Sequence, residues 1–338
     1  MASRRTGTAR LVAVLLLSLL APALVAGCGI GLGTAGGYVP SGRLGPKLQQ
    51  VKPLDGASVS VGSKNFTEEI LLGKLTVILL RAAGARVQDL TNIPGSAASR
   101  QAQLAGQVDL EWEYTGTAWL TYLNHDNAIP DPQRQYEVVR KEDLRKNRLV
   151  WLPPAPMNDT YGFAITQRTY RKYHITKGSQ LKDVPVNART FCVESEFTDR
   201  PDGLKGYLKT YGVPLGDPQG VPRSNIKTLQ TGAIYSATAK GGLCNFGEIF
   251  TTDGRIQALH LRVLRDDKNF FPKYNGCLVV RKDVLDQYPQ IRQLFAKVTR
   301  KLTNPTLVKL NGEVDVGGRD PAQVAFDWLK KEGFIAGK

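Results

Sequence analysis

The chain is predicted to be an open α/β protein, with helices packed on the faces of largely parallel sheets. Two observations predict that class. From Ala57 onward, short apolar runs of strand length alternate with helical segments, in the order strand, helix, strand, helix, strand, helix. That order is the rhythm of βαβ units. The rhythm breaks at the Pro-rich stretch Trp151 to Pro156 and then resumes. A mature chain of about 310 residues is long for one domain and comfortable for two.

The elements follow in order. Ala57-Ser-Val-Ser-Val61 alternates as a strand, and Gly62-Ser-Lys-Asn65 breaks it. Asn65 or Thr67 is placed to cap the next helix, with Glu68 and Glu69 in its first turn, where the macrodipole favours acids. That helix is expected from Ile70 to Ala83, with Gly84 as its stop. Val87 to Ile93 is a second strand, Ser96 to Leu104 a second helix, and Val108 to Tyr114 a strictly alternating third strand. Thr115-Gly-Thr117 turns into a helix around Trp119 to Leu123. Beyond the break, strands are expected at Tyr161–Thr166, Thr190–Ser195, Gly242–Phe250 and Gly276–Val280. Helices are expected at Asp202–Tyr211, Gln290–Leu302 and Pro321–Glu332.

Ahead of Ala57 the chain has a different character. Arg4, Arg5 and Arg10 precede an uncharged apolar run, Leu11 to Leu24, and the small residues Ala26 and Gly27 lead into Cys28. The run is short for a membrane span, which needs about 20 residues, so residues 1–27 read as a cleaved signal peptide. Leu24-Val-Ala-Gly-Cys28 resembles the bacterial lipobox, which implies acyl chains on Cys28 and a lipid anchor on the extracytoplasmic face of the cell membrane. Residues 28–56, rich in Gly, Pro and Ser, read as a flexible tether.

Composition narrows the function. The formal charge is +15, from 45 Lys and Arg against 30 Asp and Glu. These cations are spread along the chain with no long basic run, which fits a surface near anionic lipid or cell-wall polymer and argues against nucleic acid. Cys192 and Cys244 lie in apolar runs of the same region and are expected to pair in the oxidising space outside the cell, leaving Cys277 free and buried. No metal or cofactor is expected: the three His residues sit at no ligand spacing, and no phosphate-binding Gly loop joins a strand to a helix. No nucleophile motif is present, and His125, His174 and His260 have no evident acid partner, so an enzyme has no positive support. Asp109, Glu111 and Glu113 alternate on one strand face, which reads as solvated or salt-bridged.

In open α/β sheets, ligands bind beyond the carboxyl ends of the strands. Lys64, Tyr114, Thr117, Tyr161, Arg200, Phe250 and Tyr274 all fall at such ends or at the turns beside them. Aromatic faces attract cations, and Lys and Arg bind carboxylates through charge-assisted hydrogen bonds. The site implied is a cage for a small zwitterion with a bulky cationic head.

Five stretches then carry a resemblance: Val61-Gly-Ser-Lys-Asn-Phe-Thr-Glu68, Asp109-Leu-Glu-Trp-Glu-Tyr-Thr-Gly-Thr117, Phe197-Thr-Asp-Arg-Pro-Asp-Gly203, Thr251-Thr-Asp-Gly-Arg-Ile256 and Phe270-Phe-Pro-Lys-Tyr274. The chain resembles, from Ala57 to its end, the substrate-binding proteins of glycine betaine/carnitine/choline ABC transporters. The resemblance implies a periplasmic-binding-protein fold of type II, with two α/β lobes joined by two crossover strands and the ligand in the cleft. It places lobe one at residues 57–158 plus 273–338 and lobe two at 159–272, with crossings near Pro156–Tyr161 and Phe271–Gly276. It implies a quaternary-ammonium box of Tyr114, Tyr161, Phe250 and Tyr274, with Asp159 beside it. Relatives commonly carry Tyr where Phe250 stands. The carboxylate end matches Lys64, Thr117 and Arg200, which favours betaines over choline. A monomer that delivers solute to a membrane permease follows from the same likeness. A binding module for another small solute and an exported α/β enzyme are the alternative classes.

Overall fold

The structure is a computed structural model and describes residues 38–337. The expected signal peptide, the lipidated Cys28 and the tether as far as residue 37 lie outside the described residues. Twelve strands occur among those described: β1 (Arg43–Leu44), β2 (Ser58–Lys64), β3 (Arg86–Ile93), β4 (Leu110–Tyr114), β5 (Leu149–Trp151), β6 (Tyr161–Ile165), β7 (Phe191–Val193), β8 (Ile226–Thr228), β9 (Phe246–Phe250), β10 (Arg262–Val263), β11 (Gly276–Arg281) and β12 (Ile335–Ala336). They form two five-stranded sheets, ordered β3-β2-β4-β11-β5 and β10-β6-β9-β7-β8, and a small pair β1-β12.

The two large sheets follow one plan. In the first, β2 runs parallel to β3 and β4, and β11 returns antiparallel between β4 and β5. In the second, β7 runs parallel to β8 and β9, and β6 lies antiparallel between β9 and β10. Each sheet is therefore mixed where a largely parallel one was expected. The reason is connectivity: the chain enters the second sheet at β6 and re-enters the first at β11, and both entering strands run against their parallel neighbours. Two segments cross between the sheets and are hydrogen-bonded to each other. The Asp159 N–H donates to the Tyr274 carbonyl at 3.2 Å. The Tyr274 N–H donates to Asn158 Oδ1 at 2.7 Å.

The helix after β2 spans Thr67–Ala82 and is buried along most of its length. Its N-cap is Phe66 with no side-chain cap, so neither Asn65 nor Thr67 caps it. Thr67 Oγ1 donates instead to Asp315 at 2.6 Å, and Asn65 Oδ1 accepts the Gly95 N–H at 3.1 Å. The stretch expected to be helical around Trp119 is one wide π-helical turn, Ala118–Tyr122. A long helix at Pro132–Asn147 has no counterpart in the sequence reading. Its buried face carries Gln135 and Asp143 beside Tyr136 and Val139, so it lacks the apolar stripe that marks a helix. Asp143 is paired there with Arg100 and accepts a hydrogen bond from Trp151 Nε1 at 2.7 Å.

One further correction concerns a histidine. His125 does have an acid partner: its Nε2 lies 2.9 Å from Glu142, and its ring stacks on Trp119 at 3.4 Å. Of the two readings of the acids Asp109, Glu111 and Glu113, the salt-bridged one holds: Glu113 pairs with Lys64 at 2.8 Å and Asp109 with Arg281 at 3.6 Å, and β4, flanked by β2 and β11, is buried throughout. Cys192 and Cys244 are joined by a disulfide with their Cα atoms 5.7 Å apart, and Cys277 is free and buried.

The tether expected to run to Gly56 is ordered from Tyr38. β1 pairs antiparallel with β12, and the Gly45 N–H donates to the Phe334 carbonyl at 2.7 Å. Leu48 and Leu54 are each 1% exposed and belong to the main core. The glycines read as flexible serve close approach: a Cβ on Gly42 or Gly45 would lie 2.6 Å from a backbone carbonyl oxygen of the C-terminal segment. Leu48→Ala is expected to lower unfolding stability by about 2–5 kcal/mol, as for a core leucine. A urea midpoint unchanged to within about 0.5 kcal/mol would mean that this stretch is a free leash after all.

Candidate functional site

The carboxyl ends of the parallel strands in the two sheets face a common cleft. A cavity of about 490 Å³ lies there, lined from the first sheet by Lys64, Phe66 and Ser96 and from the second by Tyr161, Glu196, Glu248 and Phe250. Strand register builds its apolar wall. Tyr161 and Phe250 are cross-strand partners of β6 and β9, with ring centroids 5.1 Å apart. Tyr114 closes β4 opposite Gly276 of β11, two residues after Tyr274. Tyr274 meets Tyr161 edge-on at 5.6 Å. Gly116 admits that ring, since a Cβ there would lie 2.8 Å from two of its carbons.

The structure brings the four expected aromatic residues into one cluster through a fifth. Phe66 stacks on Phe250 at 5.1 Å and on Tyr114 at 6.2 Å, so the rings run continuously Tyr114, Phe66, Phe250, Tyr161, Tyr274. Phe66 was not among the residues expected from sequence. The available signal was its place two residues past Lys64, at the carboxyl end of β2 and the start of a helix.

The expected cations reach the same rings, each already paired. Lys64 Nζ lies 2.8 Å from Glu113, 3.4 Å from Glu69 and 5.0 Å from the Tyr114 ring centroid. Burial alone would lower its pKa, but these carboxylates outweigh burial and hold the ammonium charged beyond its usual range. Glu69, buried and facing Glu113 as well as Lys64, is pushed up to about 8. Arg200 forks onto Asp202, Nε to Oδ1 at 2.8 Å and Nη2 to Oδ2 at 2.6 Å. It also donates to Glu196 at 3.2 Å and to Thr117 Oγ1 at 3.3 Å, with its guanidinium 5.3 Å from the Tyr161 ring. Carboxylates of this chain thus engage both expected cations, and the Thr117 hydroxyl accepts from Arg200. The physical reason is that a charge buried beside aromatic rings needs a counter-charge nearby. A guanidinium has five N–H donors, and the four hydrogen bonds described leave it one.

Asp159 is buried beside the cluster and accepts the Thr252 N–H at 3.1 Å. Burial, and then the neighbouring Glu68, push its carboxyl well above the usual range. Tyr274 donates its hydroxyl to Asp202 at 2.5 Å, and the Ser96 N–H donates to Glu196 at 3.0 Å. Gln135, on the helix missed in the sequence, anchors both sides of the cluster through Thr115 Oγ1 at 2.9 Å and the Lys273 carbonyl at 2.6 Å. Among the described residues no group of His, Cys, Asp and Glu is arranged to hold a metal ion. Rings backed by buried carboxylates can hold a cation, and the cleft contains no nucleophile–histidine pair among its lining residues.

Comparison with known proteins agrees with this geometry. Residues 57–331 match the family described as the substrate-binding domain of an ABC-type glycine betaine transport system. A glycine-betaine-binding protein of Pseudomonas aeruginosa is 34% identical over 286 residues, covering 82% of this chain and 89% of that protein. The glycine betaine-binding protein YehZ of Escherichia coli is also 34% identical, covering 83% of this chain and 93% of its own length. The apo structure of YehZ superposes with a TM-score of 0.61, over 82% of this chain and 100% of that one. A crystal structure described as a glycine betaine/carnitine/choline ABC transporter gives a TM-score of 0.65 at 26% identity, over 82% of this chain and 99% of that one. By fold, by the extent of the match and by these relatives, the chain belongs to the substrate-binding domains of ABC-type glycine betaine transport systems.

Proposed function

We propose that this protein captures a quaternary-ammonium compatible solute in the cleft between its two sheets and delivers it to the permease of an ABC importer. Glycine betaine is the leading candidate, with choline, carnitine and proline betaine as relatives. The observation that carries the reading is the unbroken run of five rings, drawn from both sheets and backed by Asp159 and Asp202. A cation over aromatic faces gains ~0.5 kcal/mol when exposed and ~2 kcal/mol or more when desolvated. Arg200, Lys64 and Thr117 form the end that receives an anionic tail.

In this reading, residues 57–158 with 273–338 and residues 159–272 act as two lobes hinged at the crossing segments. The hydrogen bonds from Arg200 to Thr117, from Tyr274 to Asp202 and from Ser96 to Glu196 span the cleft. A ligand that touches both lobes stabilises the closed arrangement through contacts it can make only there. A diacylated or triacylated Cys28 holds the protein as a monomer beside its permease, outside the cell membrane.

Calorimetric titration of the folded protein with glycine betaine, proline betaine, carnitine and choline is expected to give saturable binding of at least one. No affinity for any of the four would sink the proposal. Tyr114→Ala is expected to weaken every quaternary-ammonium ligand by roughly 5- to 30-fold, the size of a desolvated cation–π contact. Arg200→Ala should reduce affinity for betaines more than for choline. Equal losses for the two, in the same titration, would remove Arg200 from the tail end.

A further inference from the structure

The cleft holds a second kind of group that the cage does not explain. Glu68, in the first turn of helix Thr67–Ala82, is buried behind Tyr114. It accepts the Tyr114 hydroxyl on Oε1 at 2.7 Å, and on Oε2 it accepts the Thr252 hydroxyl at 2.6 Å and Asn311 Nδ2 at 3.0 Å. Thr252 serves both acids at once, since its N–H is the donor to Asp159. Two buried carboxyl groups therefore converge on one residue, at the back of the ring cluster.

Neither acid forms an ion pair with a described side chain, and the nearby cations are engaged elsewhere. Arg255 is held by Asp253 at 2.6 Å and by Asp315 at 3.2 Å. Lys64 is held by Glu113 and Glu69. The other titratable groups facing the pair are Tyr114 from β4, Asp253 from the turn after β9, and Glu69, which faces Glu68 from the same helix. With Arg255 and Lys64 set against their partners, none of these five groups adds a net positive charge beside the pair. Burial raises both carboxyl groups above their ordinary range; the neighbouring Glu68 raises Asp159 further, and Asp253 adds to the rise of both. The Tyr114 phenol is likewise pushed well up by burial and by Glu68, so its proton stays on the ring side of that hydrogen bond.

Resting on the reading above, we propose that Glu68 and Asp159 together form the counter-charge of the cation site, sharing a proton in the ligand-free protein and releasing it to solvent when the cationic head binds. The balance is simple: one quaternary ammonium enters, one proton leaves, and one carboxylate charge is created to face it. An opposite charge within about 4–6 Å lowers a carboxyl pKa by about 1–3 units, which drives the pair toward its fully charged form. The sign follows from linkage. Because the bound state holds fewer protons, affinity rises with pH between the pair's bound and free pKa values, by up to about tenfold per pH unit for one proton. Glu68 is thereby a specificity-determining residue, selecting for charge and not merely for the shape of a trimethyl head.

The test is titration of the full-length protein with choline and with glycine betaine, in buffers of different ionisation enthalpy, across the weakly acidic to neutral range. Neither head group titrates there, so any proton comes from the protein. The expected result is release of a substantial fraction of one proton, with affinity rising with pH. Glu68→Gln and Asp159→Asn should each abolish the release while a weakened binding persists. The neutral carbon isostere of choline, 3,3-dimethylbutan-1-ol, should release none. Binding without proton release in the wild-type protein at every pH would overturn this inference and leave the solute reading intact. Release that is unchanged in both variants would overturn the assignment to this pair. Failure of every quaternary ammonium to bind would overturn both readings. The wild-type measurement decides the question even if a variant does not fold.

Discussion

The ion pair between Arg200 and Asp202 gathers strand ends from both sheets onto one point. Arg200 reaches Thr117, past the end of β4, and lies over the ring of Tyr161 at the start of β6. Asp202 takes the hydroxyl of Tyr274, just before β11. Three rings or hydroxyls from the two sheets are thus oriented by one guanidinium–carboxylate fork, whose planar geometry fixes direction as well as distance. Burying such a pair gains little net stability over an apolar replacement, while removing one member leaves a stranded charge. Its place at the centre of the cleft fits a role in holding the site to one geometry. The disulfide acts one layer behind: it ties β7, whose following turn carries Glu194 and Glu196, to the segment entering β9, whose end carries Phe250.

Much of this was legible in the sequence, for definite reasons. The alternation of Val108 to Tyr114 announced β4, and aromatic residues at strand ends announced the rings, because both signals are local. The resemblance of five motifs supplied the long-range arrangement, which no local pattern contains. What escaped has a common cause. Phe66, Glu68 and the helix Pro132–Asn147 matter through partners far along the chain, such as Thr252, Asn311 and Lys273. The identity of the partner of Glu113 was hidden for the same reason: alternating acids read as solvated or salt-bridged, and only the covering strands single out Lys64.

As a substrate-binding protein of an ABC importer, the chain works outside the cytoplasm and performs no covalent chemistry. Among its described residues no helix is long and apolar enough to cross a membrane. Its task is therefore thermodynamic: to hold a solute that water also holds well. Quaternary ammonium groups donate no hydrogen bonds, so recognition falls to ring faces and to charge at a distance. The cleft contains both kinds of group, and Tyr114 touches each, its ring beside Phe66 and its hydroxyl on Glu68.

The order of residues 38–56 has a mechanical consequence. A leash that ended at Gly56 would give an anchor at Cys28 some 28 residues of slack, or roughly 95 Å at full extension. With β1 clasped to β12, such an anchor would have only the stretch from Cys28 to Tyr38, whose reach is at most roughly 35 Å. That distance is comparable to the width of one small domain. A protein so tethered would search a shallow layer above the membrane and stay close to a permease there. The clasp would also carry any tension on such a leash into the backbone pairing with the C-terminal strand before it reached the cleft.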